Sequence, residues 1–485
     1  MVRKMNKLKV GLIGSSQLSF PGDVEGQFER SVSELKLLSE QMNFDLWVYT
    51  KSVIVEKDAE AAVAEAERNH VDFLLAQSTS FSAGSLAPVL AKIKNAYLGL
   101  WAIPESTSEG VVPFNSFCSM NMYGSIIGNY LKDYKIPFKW FYGNAGHQLF
   151  DKRVAVTVRA LTAIKNMRSA KIALVGGIAP GFNDLYFDER RILKTFDGLK
   201  INRLHEFSEI SDLAMSYTRD QLYDLMAEMQ AMSSGAHPLA IEMIETNARV
   251  YKAFSEFVEA NGYDALAVSC WPKFQQAFKL PFSVCSVVAK LNDDGIATAC
   301  EGDLPSAVSM LLLKYISGDE TMLMDLSSFD EADETVLMWH CGPASKRFAG
   351  ERGYTLGVNY TGLPHEKGKE PNCCGIAREM VFRPQHVTIA RITGECKRMF
   401  VAEGDFIDYD KKSYFGSRGW MGNIKLNGET ISVRDYINTI LVKRFQHHYP
   451  IVGGNYSNEV MEAAAWLGMK TVEKVTYKDY LQNEE

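Results

Sequence analysis

The sequence predicts an α/β protein with two Rossmann-like α/β domains followed by a β-rich, barrel-like C-terminal domain. Three observations predict it. Short apolar runs alternate with helix-spaced segments over roughly the first 165 residues, and the same pattern restarts at a second glycine-terminated run near residue 171. From about residue 345 the helical spacing gives way to short β-prone runs between turns. A chain of 485 residues is also too long for one hydrophobic core.

In order, residues 9–14 (KVGLIG) form a short strand of the buried type, and 25–42 place apolar residues at helical spacing. Residues 44–49 read as a strand, 58–69 as an Ala/Glu-rich helix, and 71–76 as a strand. A helix at 86–95 and a strand at 96–103 follow. Strand–helix alternation of this kind implies a parallel sheet covered on both faces. The second unit opens at 171–177 (KIALVGG), then runs through helices near 221–233 and 237–261 to a strand at 265–269. Residues 294–299 lead into Cys300-Glu301-Gly302-Asp303, which opens a helix at Leu304. Runs at 378–382, 386–393 and 399–407, separated by Gly, Pro, Asp and Lys, predict an antiparallel sheet or barrel. A helix at 433–446, a strand at 449–452 and a helix from Asn458 close the chain. The expected domains are 1–168, 169–345 and 346–485, without repeats, low-complexity tracts or heptads.

Composition narrows the function. The chain is 46% hydrophobic and 23% charged with a mean hydropathy of −0.13, as in ordinary globular proteins. A net charge of −7, a pI near 5.8 and no Lys/Arg-rich block exclude a basic nucleic-acid face. The N-terminus (MVRKMNKLKVGLIG) has charges and then a β-rich run, not an apolar signal segment. The longest apolar stretches, 307–316 and 98–103, are too short for a bilayer, so a cytoplasmic location is expected. The eight cysteines form no C-x-x-C pair and are expected to be reduced and buried.

KVGLIGSS and IALVGG end in glycine, but neither completes G-x-G-x-x-G, so a glycine at a strand-to-helix turn explains each, and a nicotinamide enzyme is disfavoured. P-loop and nucleophile-elbow motifs are absent. The informative residues lie downstream. Glu301 and Asp303 stand at the carboxyl end of an expected parallel strand, where α/β proteins place their sites. Asp325 is a lone carboxylate in MLMDL, and His340 a lone imidazole in LMWHCG. His447 and His448 precede a strand. Each has a plainer explanation: Glu301 and Asp303 favour a helix N-terminus, Asp325 caps a turn, and His340 is a core histidine with its hydrogen bonds satisfied. Taken together, two carboxylates and one or two imidazoles with open positions suit Mn²⁺, Co²⁺ or Mg²⁺.

The stretch ATACEGDLPSA…MLMDLSSFDEADETVLMWHCGPAS, followed by HHYPIVGGNYSNEV, resembles the arabinose/fucose isomerase superfamily. The resemblance runs along essentially the whole chain. It implies a metal-dependent aldose–ketose isomerase working through an enediolate, with Mn²⁺ held by Glu301, Asp325 and His448. Glu301 and Asp325 would also act as the base/acid pair. An Asp at this spacing is more similar to the fucose branch than to the arabinose branch, which uses Glu. His340 matches a further histidine ligand of arabinose isomerases and its role stays open; His447 is the alternative to His448. Gln17 lies in a run similar to the GSQ-x-L element that opens arabinose isomerases, which makes it a candidate to bind a sugar hydroxyl. Asn121 (SMNMYG) and His147 (NAGH) resemble residues that reach a neighbouring subunit's site, which implies a homo-oligomer, trimer or hexamer. Cys270-Trp271-Pro272 and Ser417-Arg418-Gly419-Trp420 are typical of fucose-isomerase-like members, and Trp271 and Trp420 are candidates to stack on sugar. Substrates implied are L-fucose/D-arabinose-type sugars or the sulfonated hexose sulfoquinovose, whose anion would want an Arg clamp from Arg418 or Arg191. Rival readings are a sugar-binding or sensor protein on the same scaffold, and a metal-dependent sugar epimerase or aldolase.

Overall fold

Both expected α/β halves and the β-rich C-terminal part are present in the computed structural model, which describes residues 5–233, 239–270, 283–359, 375–407 and 410–483. The chain divides into two units, Asn6–Lys165 and, together with Met5, Asn166–Glu485. In the first unit β1 (Lys9–Ser15), β2 (Asp45–Val48), β3 (Phe73–Ser78), β4 (Tyr97–Ala102) and β5 (Phe138–Tyr142) form a parallel sheet in the order β2-β1-β3-β4-β5. Every residue of β3 is buried, as a central strand covered on both faces requires. Helix Val24–Met42 starts where the Asp23 side chain accepts the Gly26 N–H, and stops at Asn43 in the left-handed conformation.

The second unit opens with another parallel sheet. Its strands β6 (Lys171–Val175), β7 (Lys200–His205), β8 (Ala265–Val268) and β9 (Ala297–Ala299) run in the order β7-β6-β8-β9. The third sheet contains β10 (Thr321–Asp330), β11 (Thr335–His340), β12 (Thr355–Val358), β13 (Ile376–Val381), β14 (Gln385–Ile392), β15 (Arg398–Phe406), β16 (Ser417–Leu426), β17 (Glu429–Thr430), β18 (His448–Gly453) and β19 (Lys470–Thr471). Its path β16-β11-β10-β18-β14-β15 closes on itself through antiparallel pairing of β15 with β16, giving a six-stranded barrel. Met322, Met324, Met338, Ile389, Phe400, Met421, Tyr449 and Ile451 fill its core. By the two-residue period of a strand, Asp325 and His448 therefore point outward from the barrel. β10 and β11 precede residue 345, yet their hydrogen bonds run into this third sheet.

Helix Leu304–Ser317 connects the two sheets of this unit. It is apolar nearly all round, and it packs on β8 and β9 as well as on β14 and β18. Gly318, left-handed at φ 73°, ends it. Among the described residues no helix is long and apolar enough to cross a membrane.

Candidate metal centre

The turn between β9 and helix Leu304–Ser317 puts Glu301 at the carboxyl end of the second parallel sheet. Glu301 and Gly302 both take the left-handed conformation, at φ 60° and 72°. For Glu301 this costs on the order of 1 kcal/mol. The cost is offset by backbone bonds: Ala179 N–H donates to the Glu301 carbonyl at 2.9 Å, and Gly302 N–H to the Val268 carbonyl at 3.0 Å. A Cβ at Gly302 would collide with the Gly177 carbonyl, so glycine is required there. Asp303 then caps the helix, accepting from Ser306 N–H at 3.0 Å and from the Ser306 hydroxyl at 2.7 Å.

Asp325 and His448 are brought together by β-sheet register. They stand directly opposite each other on β10 and β18, so their side chains share one face. His448 Nε2 lies 3.4 Å from Glu301 Oε2 and 3.7 Å from Asp325 Oδ1. The His340 ring, at the end of β11, stacks on His448 with centroids 5.7 Å apart.

What each imidazole offers is set by its other nitrogen. His448 Nδ1 lies 2.9 Å from Asp303 Oδ2, and Arg391 Nη1 donates to the same oxygen at 2.8 Å. Asp303, Arg391 and His448 side chains are fully buried. Burial alone would push the Asp303 carboxyl up, but the Arg391 charge and the His448 bond hold it well below the usual carboxylate range. An ionised Asp303 only accepts, so His448 donates through Nδ1–H and turns the Nε2 lone pair to the site. His340 is the reverse. The Cys341 backbone N–H donates to His340 Nδ1 at 2.8 Å, which requires the lone pair there. Burial holds His340 below the usual imidazole range. In this neutral ring the proton sits on Nε2, so the nitrogen facing the site is a donor.

His447 bridges two carboxylates, with Nδ1 at 2.7 Å from Asp184 and Nε2 at 3.1 Å from Glu301. Burial opposes its charge, but hydrogen bonds to Glu301 and Asp184 push the ring up to about 9. At Glu301 burial is likewise outweighed, chiefly by the His447 hydrogen bond, and its carboxyl falls below the ordinary value.

Among the described residues, three buried polar atoms around this point have no hydrogen-bond partner: Asp325 Oδ1, His340 Nε2 and His448 Nε2. Leaving such an atom unsatisfied costs about 1–3 kcal/mol. His448 Nε2 lies 3.4 Å from the Glu301 carboxylate and 3.7 Å from that of Asp325, the mark of a site that receives something polar. Glu301, His340 and His448 offer ligand atoms within 4.8 Å of one another, and so do Asp325, His447 and His448. A divalent cation fits a carboxylate with the His448 lone pair, which both groups share, Glu301 standing in one and Asp325 in the other; a protonated His340 Nε2 does not fit it as a ligand.

No family model matches the chain. Among curated proteins it is 24% identical over 409 residues to the sulfoquinovose isomerase of Priestia megaterium (strain ATCC 12872 / QMB1551), covering 83% of this chain and 85% of that protein. It is 27% identical over 337 residues to that of Clostridium sp. (strain MSTE9), with 69% and 71% covered. Against that of Alkalicoccus urumqiensis it is 22% identical over 426 residues, with 83% and 86% covered. Over most of its length the chain is thus similar to sulfoquinovose isomerases, in keeping with its resemblance to the arabinose/fucose isomerase superfamily. It is therefore an isomerase. A solved glucose-galactose binding protein from Geobacillus stearothermophilus aligns at 14% identity over 65% of this chain and 93% of that one. Its TM-score of 0.17 is too low to bear on fold or function.

The remaining candidates of this isomerase are placed as follows. Gln17, Asn121 and His147 are exposed on the N-terminal unit; Gln17 lies just beyond the carboxyl end of β1 and Asn121 on helix Ser116–Asn129. Trp271 lies outside the described residues. Arg418 shares a sheet row with Asp325 through Trp339, but its guanidinium is engaged by Glu379 at 2.8 Å. The Trp420 ring is covered by Lys411 Nζ at 3.8 Å, and its N–H donates to the Lys412 carbonyl at 3.0 Å. Arg191 is half exposed beside Asp188. Sequence reasoning missed Arg391, Asp184 and the holding role of Asp303. Arg391 did leave a signal, as a lone cation in the otherwise apolar-alternating run HVTIARI.

Proposed function

We propose that this isomerase interconverts sulfoquinovose and its ketose isomer, using a divalent cation (Mn²⁺, Co²⁺ or Mg²⁺) bound by Glu301, Asp325 and His448. The convergence of the Glu301 carboxylate with the unpartnered Asp325 Oδ1 and His448 Nε2 carries the metal assignment. The shared name of the curated relatives carries the sugar. When bound, the cation supplies electrophilic polarisation of O1 and O2 of the open-chain sugar. The chain does the rest. Isomerisation moves one proton from C2 to C1 and another from O2 to O1. Glu301, kept ionised by His447, takes the C2 proton and returns it to C1. Asp325 carries the hydroxyl proton between the two oxygens. His340 donates Nε2–H to the oxygen on which negative charge develops, and Asp303 with Arg391 fixes the His448 ring.

NMR of sulfoquinovose with the enzyme and Mn²⁺ tests the reading: a new ketose spectrum is expected, and none with Glu301→Gln. Full turnover by rigorously metal-stripped protein overturns the metal assignment. Turnover of L-fucose or D-arabinose but not sulfoquinovose overturns the sugar alone.

A further inference from the structure

Two thiols that the reaction does not use lie against the site. Cys285, at the start of helix Cys285–Asp293, and Cys341, directly after β11, have their sulfurs 3.1 Å apart. Cys341 Sγ is also 3.1 Å from His340 Nδ1. Cys285 is only 4% exposed and is held in place by the Asn359 side-chain amide at 3.4 Å. Gly342, following Cys341, packs against the Ala377 and Arg378 backbone, which fixes the turn. The two sulfurs therefore face each other across a short gap between well-anchored elements. A disulfide bond measures about 2.05 Å, so closing the pair asks for a movement of roughly 1 Å.

We propose that Cys285 and Cys341 form a reversible, peroxide-driven disulfide that switches the isomerase off by unseating His340. The oxidant is a hydroperoxide. One thiol, as thiolate, attacks a peroxide oxygen; the O–O bond breaks, a sulfenic acid forms and, with hydrogen peroxide, water leaves. The other thiol attacks that sulfur, the S–S bond forms, and the sulfenic oxygen leaves as a second water. Two thiols are oxidised, one peroxide is reduced, and both thiol hydrogens end in water. The new bond pulls Cys341 Sγ toward Cys285 and away from His340 Nδ1. It also strains the Cys341 backbone, whose N–H sets the His340 proton on Nε2.

The test uses the full-length, Mn²⁺-loaded protein treated with hydrogen peroxide. Intact mass should fall by two hydrogens per chain, and non-reducing peptide mapping should join Cys285 to Cys341. Turnover should fall about ten- to a hundredfold, the scale seen when a group holding a site histidine is disturbed, and should return with a thiol reductant. Cys285→Ser should keep its basal turnover and resist peroxide. An unchanged mass, a cross-link mapped to Cys270 and Cys300 instead, or equal sensitivity of Cys285→Ser overturns the proposal. A disulfide that forms without loss of turnover overturns the switch. Only the loss of turnover rests on the reading of the site given above; the mass and the mapping do not, so the two failures are distinguishable.

Discussion

His448 and Asp303 are joined by a 2.9 Å hydrogen bond between ring Nδ1 and a carboxylate oxygen, with both side chains fully buried. That bond decides which face of the imidazole meets the site. Asp303→Asn keeps the shape but removes the charge that fixes the tautomer, and leaves Arg391 buried without its counter-ion. Mn²⁺ affinity should fall about ten- to a hundredfold by titration. Urea unfolding should show a loss of about 3–5 kcal/mol, the cost of breaking a buried pair. Unchanged Mn²⁺ affinity would remove Asp303 from the account.

Glu301→Gln and Asp325→Asn keep volume and lose the carboxylate. Each should lower kcat about a hundred- to ten-thousandfold while far-ultraviolet circular dichroism stays as in the wild type. The same variants report on metal. Adding Mn²⁺ at a hundred times its Kd to stripped wild-type protein should stabilise it by about 2.7 kcal/mol, read as a rise in Tm. Neither variant should show the full rise; an equal rise in both would place the cation elsewhere.

His340 separates a ligand from a donor. With its proton on Nε2, His340→Ala should cut kcat on the order of a hundredfold or more and leave bound Mn²⁺ at the wild-type level by elemental analysis. Loss of the metal would make His340 a ligand and reverse its tautomer.

Gly302→Ala tests the turn that presents Glu301. The left-handed backbone penalty is about 1 kcal/mol, and the collision with the Gly177 carbonyl adds to it. Stability should drop by more than about 1 kcal/mol in urea, and turnover should drop with it. A variant as stable and active as the wild type would mean that the turn is not held as described.

The fold class was legible because strand and helix periods are local properties of the sequence. Glu301 was legible too, since a strand running into E-G-D and a helix is local geometry. Asp325 stood out as a lone carboxylate and His447 and His448 as a pair before a strand, but only the resemblance joined Asp325 and His448 to Glu301; what makes the two meet is the pairing of β10 with β18, which no local pattern announces. For the same reason β10 and β11 read as part of the central unit although their partners lie in the third sheet. The role of Asp303 was hidden behind its other one, since a helix-capping carboxylate explains itself without a histidine. The proton on His340 hangs on a backbone N–H of the next residue, a matter of atomic placement and not of residue type.

The pairing of Asp325 with His448 has an evolutionary consequence. Their separation is set by the hydrogen-bond ladder of a closed barrel, not by the length of chain between them. Insertions and deletions in the connecting segments can therefore accumulate without altering the distance between the two side chains. A slip of one residue in the ladder, by contrast, would turn one of them to the opposite face and abolish the pair in a single step. The juxtaposition of the two side chains is kept whole or lost whole, while the connecting loops stay free to vary.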